Sequence, residues 1–558
     1  MFMVKFIDTV KKHRNGDFSA AAVDYKKLLS DTPDDADILN LYGLCLTSLN
    51  QFTCAIVLFT KAISLDPGQN EYLQNRGAAY AGMGQFDAAL SDFQAAISLE
   101  PQNVLLSIKA GELSLMLDMH DNAKDLFQRA LTIDPGNNEA KNGLAFALNK
   151  LGISNLNNGA TKDDIPYLSK AVELAPNNWE LHYNLGNAFL KSDQFKDAKT
   201  AYENSIKLNQ SSVEVHSNLG IAYERLGHYG KSLDAYNRAS NICPTHHDTL
   251  FNKSLLLLKQ SNYRDGFRLY EERWNTAAFK KHKRRFAAPL WLGKQSLDKK
   301  TILLHAEQGL GDTIQFVRFC KWLDRYDVKI LVQCPAPLIK LVETLPISSD
   351  CYAMDDNIPP YDFHCPLMSL PFALDIQSAS DVAMPPYLKA PENSKNKWQP
   401  ILNKFSSTRI GLVLDGKKTH RHNHLRSIYA KEIMDFLPLG PNYFLLQKDL
   451  SAGTNLLIER RSDVHNLSPY LDDFADTAAA CSYMDLVISV DTSVAHLAGA
   501  LGQKTILLLH HQSDWRWQTE GSTTPWYSSM EIIRLKRGAP WKTIFPLVKE
   551  KAQGYVRD

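Results

Sequence analysis

The chain has 558 residues, which at roughly 150 residues per domain allows three or four domains. Lys and Arg number 62 and Asp and Glu 61, a formal net charge of +1, which excludes a protein that coats nucleic acid or an anionic membrane through bulk charge. Hydrophobic residues at 44% and charged residues at 22% exclude a disordered or fibrous chain. The eight cysteines show no CxxC pair and no metal-ligand spacing, so a reduced, cytoplasmic chain without a metal site is expected. Met1 to Arg14 lacks the apolar core and cleavage site of a signal peptide, and no run of eighteen apolar residues predicts a membrane span.

The first half is periodic. Pro33, Pro67, Pro101 and Pro135 are 34 residues apart, Pro176 follows after 41, and Gln210 and Pro244 continue the series. Small residues keep the register at Gly43, Gly77, Gly111, Ala145, Gly186, Gly220 and Ser254. So do Tyr25, Phe59, Phe93, Phe127, Tyr202, Tyr236 and Tyr270, with Leu168 standing in once. A small residue in one helix admits a large ring from the next, and proline ends the second helix because it cannot continue the hydrogen-bond ladder. The pattern resembles the tetratricopeptide repeat family and predicts about eight helix pairs over 1–274. Seven extra residues in the fifth pair, near Asn155 to Asp164, are expected to lengthen its inter-helix turn. Such arrays form a superhelix with a concave face.

Two positions before the small residue stand Asn75, Asn184, Asn218 and Asn252, with Lys109 in the same column and Asn142 shifted by one. In repeats of the protein O-GlcNAc transferase type, asparagines in this column hold a ligand's backbone, and an amide can both donate and accept. The resemblance makes these four asparagines candidate acceptor-binding residues. The alternative is that they serve helix packing.

After Trp274 the period stops. Residues 275–300 read as a linker containing the basic run Lys280-Lys281-His282-Lys283-Arg284-Arg285, either solvated or in contact with an acidic partner or phosphate. Short apolar runs then predict parallel strands at Thr301–His305, Lys329–Cys334, Arg409–Leu414, Asn442–Leu446, Asp485–Val490 and Thr505–Leu509. An amphipathic helix is expected from Thr313 to Arg325 and another from Asp491 to before Gly502. The alternation implies two Rossmann-like lobes, 301–400 and 401–558. A terminal helix within Trp541 to Val556 is expected to pack back across them.

Two turns are placed where open α/β sheets bind ligands. Gly309-Leu310-Gly311-Asp312 follows the first strand, with Ile314 where a dinucleotide fingerprint would need its third glycine. Asp312 either caps the helix or offers a carboxylate to deprotonate a hydroxyl. Asp491-Thr492-Ser493-Val494-Ala495-His496 opens a helix whose first amides suit a diphosphate. Capping alone would also account for Asp491, Thr492 and Ser493, and core packing for His496.

Five segments carry a wider resemblance. His305 to Arg318, Asp473 to Ala479, Asp485 to Gly502, Asp514-Trp515-Arg516-Trp517 and Pro525-Trp526-Tyr527 are very similar to the glycosyltransferase-like domain that follows tetratricopeptide repeats in many bacterial proteins. More distantly, residues 264–545 look like the ADP-heptose heptosyltransferase family. That resemblance implies the GT-B fold, a nucleotide-diphosphate sugar as donor, and no required metal or cofactor. It implies Asp312 as catalytic base. It implies donor contacts by His420, Arg426, Asp491, Thr492, Ser493 and His496; Gln308, Gly309 and Gly311 of the first turn and Lys418, whose charge favours an anion, are further candidate donor contacts. Gln447, after a predicted strand, would read base or ribose. The basic loop departs from the family pattern at Asp415, Lys417, Lys418 and Asn423.

The whole chain therefore reads as an α solenoid of tetratricopeptide repeats followed by an α/β region of GT-B type. The expected activity is inverting, metal-independent transfer of a sugar to a protein or peptide acceptor in the repeat groove, flagellin or another surface protein being the kind of acceptor implied. The alternatives are an adaptor or sensor with a degenerate transferase domain, and transfer to a lipid-linked or oligosaccharide acceptor. No nucleic-acid partner is expected, and self-association through a repeat end stays open.

Overall fold

A computed structural model of the protein describes residues 2–157, 164–416 and 423–556. The chain divides into two compact units, Met1–Ala235 and Tyr236–Asp558.

The first unit is made of consecutive antiparallel helix pairs, the tetratricopeptide solenoid expected from the period. Ala36–Ser48 pairs with Phe52–Leu65, Asn70–Gly82 with Phe86–Leu99, and Val104–Met116 with His120–Ile133. Second helices stop two residues before the recurring prolines, at Asp31, Leu65, Leu99, Ile133 and Leu174. Asp17, Asp35, Asn103, Asn178 and Ser212 start helices by accepting a backbone N–H into the side chain. The small-residue column does what the pattern predicts. A Cβ on Gly43 would lie 2.5 Å from the Phe59 ring, one on Gly111 2.8 Å from Phe127, and one on Gly186 2.5 Å from Tyr202.

The fifth pair corrects the placement of the extra residues. Its first helix, Asn138–Asn157, has 20 residues where Val104–Met116 has 13, a difference equal to the seven inserted. The glycine that faces Leu168 is Gly152, 2.7 Å from it by the same construction, and not the position of Ala145. Glycine and bulky residue are then 16 apart, as in Gly43–Phe59. Two added helical turns keep that facing register, which a longer turn alone would not. The candidate turn itself, 158–163, lies outside the described residues.

The second unit opens with the end of a repeat helix and one more pair, His247–Lys259 with Tyr263–Tyr270, which completes eight pairs. Leu258, Tyr263, Phe267 and Tyr270 belong to the same hydrophobic cluster as the α/β region, so this last pair is built into its core.

Two all-parallel sheets follow. The N-terminal lobe holds β1 (Lys300–His305), β2 (Val328–Cys334), β3 (Ser349–Ala353) and β4 (Phe363–Pro366) in the order β3-β2-β1-β4. The C-terminal lobe holds β5 (Arg409–Val413), β6 (Asn442–Leu445), β7 (Val464–Asn466), β8 (Leu486–Val490), β9 (Thr505–Leu509) and β10 (Met530–Arg534). Their order, β10-β9-β8-β5-β6-β7, is the doubly wound one. The order in which successive strands are added reverses in each sheet between β1 and β4 and between β5 and β8. Ligands of such sheets bind beyond the carboxyl ends of the strands at these switch points. The six strands expected from apolar runs are all present, and the two lobes give the GT-B arrangement.

Two expectations change in detail. The helix after β1 is α-helical only over Leu310–Phe316 and continues as a 3-10 helix over Val317–Arg325. The terminal helix, Phe545–Gln553, does not cross between lobes. Phe545, Val548 and Ala552 join the cluster of Ile410, Leu412, Tyr443 and Ile533, so it seals the far face of the C-terminal sheet.

Candidate functional site

The two turns singled out in the sequence meet. The helix Leu310–Phe316 starts after β1, the helix Ser493–Ala500 starts after β8, and the two pack on each other. Gly311 permits the approach: a Cβ there would sit 3.0 Å from His496 Cδ2 and 3.4 Å from Ser493 Cα. Each helix start comes from a topological switch point of its own sheet, so the junction joins the ligand-binding edges of both lobes.

Asp312 is held on two sides. Its Oδ2 accepts the Gly309 N–H at 2.9 Å, and its Oδ1 accepts from Arg516 Nη2 at 2.5 Å. Arg516, almost fully buried, also donates to Asp514 Oδ1 at 2.8 Å and to Gln315 Oε1 at 2.6 Å. Burial alone would favour deprotonation of Arg516, but Asp514 and Asp312 outweigh it and the guanidinium is held well above its ordinary range. Burial also pushes Asp514 up, and Arg516 reverses this, leaving the carboxyl below its usual value. The side chain of Asp312 keeps 23% of its surface open. A carboxylate has about four lone-pair sites, so an acceptor hydroxyl can still reach it.

The turn after β8 has a different character. Asp491 keeps some solvent contact, yet desolvation of its carboxyl, with repulsion from Asp514 second, raises it to about 6. Its backbone carbonyl accepts from Arg426 Nη1 at 3.1 Å. Thr492 is the extended residue before the helix, makes no side-chain cap bond, and lies 3.4 Å from the Ser489 hydroxyl. Ser493 is the first helical residue, where backbone amides have no acceptor within the helix. His496 stacks on Trp517 with ring centres 5.0 Å apart, and its Nδ1 lies 3.0 Å from the Tyr527 hydroxyl. Burial, then Arg516, lower it to about 3, so this imidazole is neutral and brings no charge to a phosphate.

The remaining expected donor contacts divide. Arg426 faces the junction through the Asp491 carbonyl and bonds Asn423 at 3.2 Å. Gln308 donates to the Tyr270 hydroxyl at 3.0 Å. Gln447 is engaged with backbone: its Oε1 accepts the amides of Leu414 at 2.8 Å and Asp415 at 3.2 Å, and its Nε2 donates to Asp449. Its amide braces the loop after β5, which leaves little of it to read a base. Lys418 and His420 lie outside the described residues.

In the repeats, Asn75 donates to Asn40 at 2.8 Å, Asn184 to Asn149 at 3.0 Å, and Asn218 to Asn187 at 2.9 Å. These amides bridge successive repeats, so packing is part of their work. Asn149 stands to Asn184 as Asn40 does to Asn75, 35 residues apart, which repeats the register set by Gly152. Asn252 is half-buried in the helix His247–Lys259 of the second unit.

Sequence reasoning did not single out Arg516 or Trp517 as site residues. The signal was present in the motif Asp514-Trp515-Arg516-Trp517, but nothing local in it points to an aspartate 204 residues earlier. Among the described residues, no group of three His, Cys, Asp or Glu side chains could hold a metal ion.

Comparison with known proteins agrees with this two-part reading. Models of the tetratricopeptide repeat match 14–70, 71–103, 167–200 and 213–246, and a TPR repeat model matches 186–227. The model of glycosyltransferase family 9 (heptosyltransferase) matches 456–543, which includes the turn after β8 and Arg516. The chain is thus a tetratricopeptide-repeat protein with a C-terminal glycosyltransferase-like domain. Repeats joined to a family 9 domain point to a glycosyltransferase. No curated protein matches the chain. Among solved structures it is similar to YrrB, described as a TPR protein with an unusual peptide-binding site, at 24% identity over 35% of this chain and 98% of that one, TM-score 0.29. It is also similar to MamA, at 25% identity over 30% and 93%, TM-score 0.26. A third is the C-terminal part of a TPR repeat-containing protein from Cytophaga hutchinsonii, at 16% identity over 44% and 98%, TM-score 0.35. No helix among the described residues is long and apolar enough to cross a membrane.

Proposed function

We propose that the protein transfers a sugar from a nucleotide-diphosphate sugar to a hydroxyl of a protein acceptor, which the repeats recruit. The observation that supports this best is the junction at Gly311, where Asp312 of one switch point meets the helix start of the other. The donor diphosphate would lie against the first amides of the helix Ser493–Ala500, with the hydroxyls of Thr492 and Ser493 and the guanidinium of Arg426 beside it. The acceptor hydroxyl would approach from the N-terminal lobe and give its proton to Asp312 as its oxygen attacks the anomeric carbon. The bond from that carbon to the diphosphate breaks, and attack from the opposite face inverts the anomer. Fixed amide and hydroxyl dipoles stabilise the charge that develops on the leaving group. Asparagines 75, 184, 218 and 252 would line the acceptor's path in the repeats.

Titration with nucleoside diphosphates, paired with intact-mass analysis of candidate acceptors co-expressed with the chain, tests the reading. Binding by at least one nucleotide and a mass gain of one sugar are expected. Asp312→Asn should abolish the gain while leaving nucleotide affinity within about twofold, since Asp312 sits on the acceptor side. Unchanged transfer would remove Asp312 from the mechanism, and no nucleotide binding at all would sink the transferase reading. One observation favours a second reading, a nucleotide-sugar sensor: Asp312 is already tied to Arg516. Nucleotide binding without any transfer would support it.

A further inference from the structure

The basic run after the repeats does not hang free. It folds over the N-terminal lobe's switch point and closes a cavity of about 160 Å3 there, at the ends of β1, β2 and β4. Arg284 donates to Gln333 Oε1 at 2.7 Å and lies 4.9 Å over the Phe286 ring. Gln333 is itself pinned, donating to the carbonyls of Ala353 and Met354. Phe286 in turn stacks on His305 and His364, both with ring centres 4.2 Å away. Lys283 lines the same cavity. So the chain has fixed a cationic edge above a floor of flat rings.

The charge in this cavity is one-sided. Glu307 lines it, but its two oxygens accept from Arg273 Nε and Nη2 at 3.1 and 3.0 Å, so its charge is answered inside the protein. Two of the three imidazoles in the lining, His305 and His364, stay neutral. Burial lowers His305 well below its ordinary value, and burial followed by Arg284 and Lys283 lowers His364 to about 4. His305 Nε2 and His364 Nδ1 are 3.1 Å apart, and His305 is only 3% exposed, with its Nδ1 itself buried. The cavity therefore offers two cations, a floor of neutral rings and apolar walls, with no acidic group left unpaired among its lining residues.

Size and position narrow the occupant. Pockets that enclose a whole small molecule run to roughly 300–1,000 Å3, so this one takes a single group with the rest of the ligand outside. Gln308, which lines the cavity, is followed directly by Gly309, whose N–H is bound by Asp312. The cavity therefore borders the turn that holds Asp312.

We propose that this cavity is an acceptor subsite that takes an acidic side chain of a peptide, close in sequence to the hydroxyl offered to Asp312. The assignment rests on the transferase reading for the role of Asp312, but not for the binding itself. Arg284 and Lys283 hold the carboxylate, and the rings and apolar walls hold its methylenes.

The test uses the full chain and synthetic peptides with one Ser or Thr. Asp or Glu is placed at each neighbouring position in turn, each peptide beside its Asn or Gln twin, and binding is read by fluorescence anisotropy. At one or two positions the acidic peptide should bind about tenfold tighter than its twin, the size expected for a charge-assisted hydrogen bond. Arg284→Gln should erase that preference, and Lys283→Gln, a milder change, should reduce it. Equal binding of acidic and amide twins at every position overturns the proposal. A preference that survives both substitutions does so too, since the acid is then read elsewhere. If a sugar phosphate binds in an Arg284-dependent way and no acidic peptide does, the cavity reads a phosphorylated glycan and the proposal fails. Nucleoside-diphosphate titration of the same samples reports separately on the transferase reading.

Discussion

The turn after β1 and the turn after β8 are built on one plan, a parallel strand that ends at a switch point and feeds a helix, with Asp491 at the second bend and Asp312 in the first turn of the first helix. Their aspartates are treated in opposite ways. Asp312 is given a partner, Arg516, and keeps an open edge toward solvent. At Asp491 the pull of Arg426 and Arg516 is outweighed, and burial beside Asp514 raises its carboxyl to about 6. The pairing fixes the orientation of Asp312, and its open edge is the side that the proposed acceptor hydroxyl would meet. A carboxyl that protonates near neutrality suits the neighbourhood of a diphosphate, because it can shed the charge that would repel the ligand. Fold geometry places the two groups, and the side chains around them decide what each can do.

Removing Arg516 should break this contrast with the largest effect. Arg516→Leu would leave Asp312 and Asp514 without their cation, and because their side chains keep 23% and 40% of their surface open the loss is about 2–3 kcal/mol, below that of a fully buried cluster. Chemical denaturation of the variant should show a loss of that size. A loss below about 1 kcal/mol would mean that solvent already serves both carboxylates. The second test widens the junction instead of discharging it. Gly311→Leu places a side chain against His496 and Ser493, where overpacking typically costs about 1–3 kcal/mol, and it should lower transfer by more than it lowers nucleotide binding. Equal losses in both would show that Gly311 serves the donor turn alone.

How much of this was legible beforehand follows from where each residue gets its neighbours. The six strands read from apolar runs are β1, β2, β5, β6, β8 and β9, every one of them interior to its sheet. The four not expected, β3, β4, β7 and β10, are the four edges. An edge strand is covered less completely, so its sequence carries no unbroken apolar run: in β3 no residue is fully buried. Repeat architecture was legible because each contact recurs at a fixed separation. The fifth pair resisted because its insertion is helical, and only the Gly152–Leu168 contact reveals where the two extra turns lie. Asp312 and Asp491 were legible as bends between a strand and a helix. Arg516 was not, because its role is defined by a partner 204 residues away. For Gln447 the position after a strand suggested a ligand contact, while its contacts with the amides of Leu414 and Asp415 belong to a loop that the local pattern does not show.

The smallest expected effect sharpens the contrast most, because it isolates Asp491. Its folded value of about 6 lies above the ordinary 3.8, so between these two pH values the folded protein binds a proton that the unfolded chain does not. Asp491 therefore favours the fold less and less as pH rises through that window, and Asp491→Asn should flatten this part of the stability profile. A bound diphosphate would push the carboxyl further up, so nucleotide binding takes up a fraction of a proton near neutral pH. Phosphate groups titrate in the same range, so the informative quantity is the ratio of affinities between the natural chain and Asp491→Asn. The two should bind alike near pH 5.5, and the natural chain should fall behind by up to about tenfold by pH 8, which is 1.4 kcal/mol. A ratio that stays constant across that range would place the diphosphate away from Asp491. The turn after β8 would then differ from the turn after β1 in burial but not in purpose.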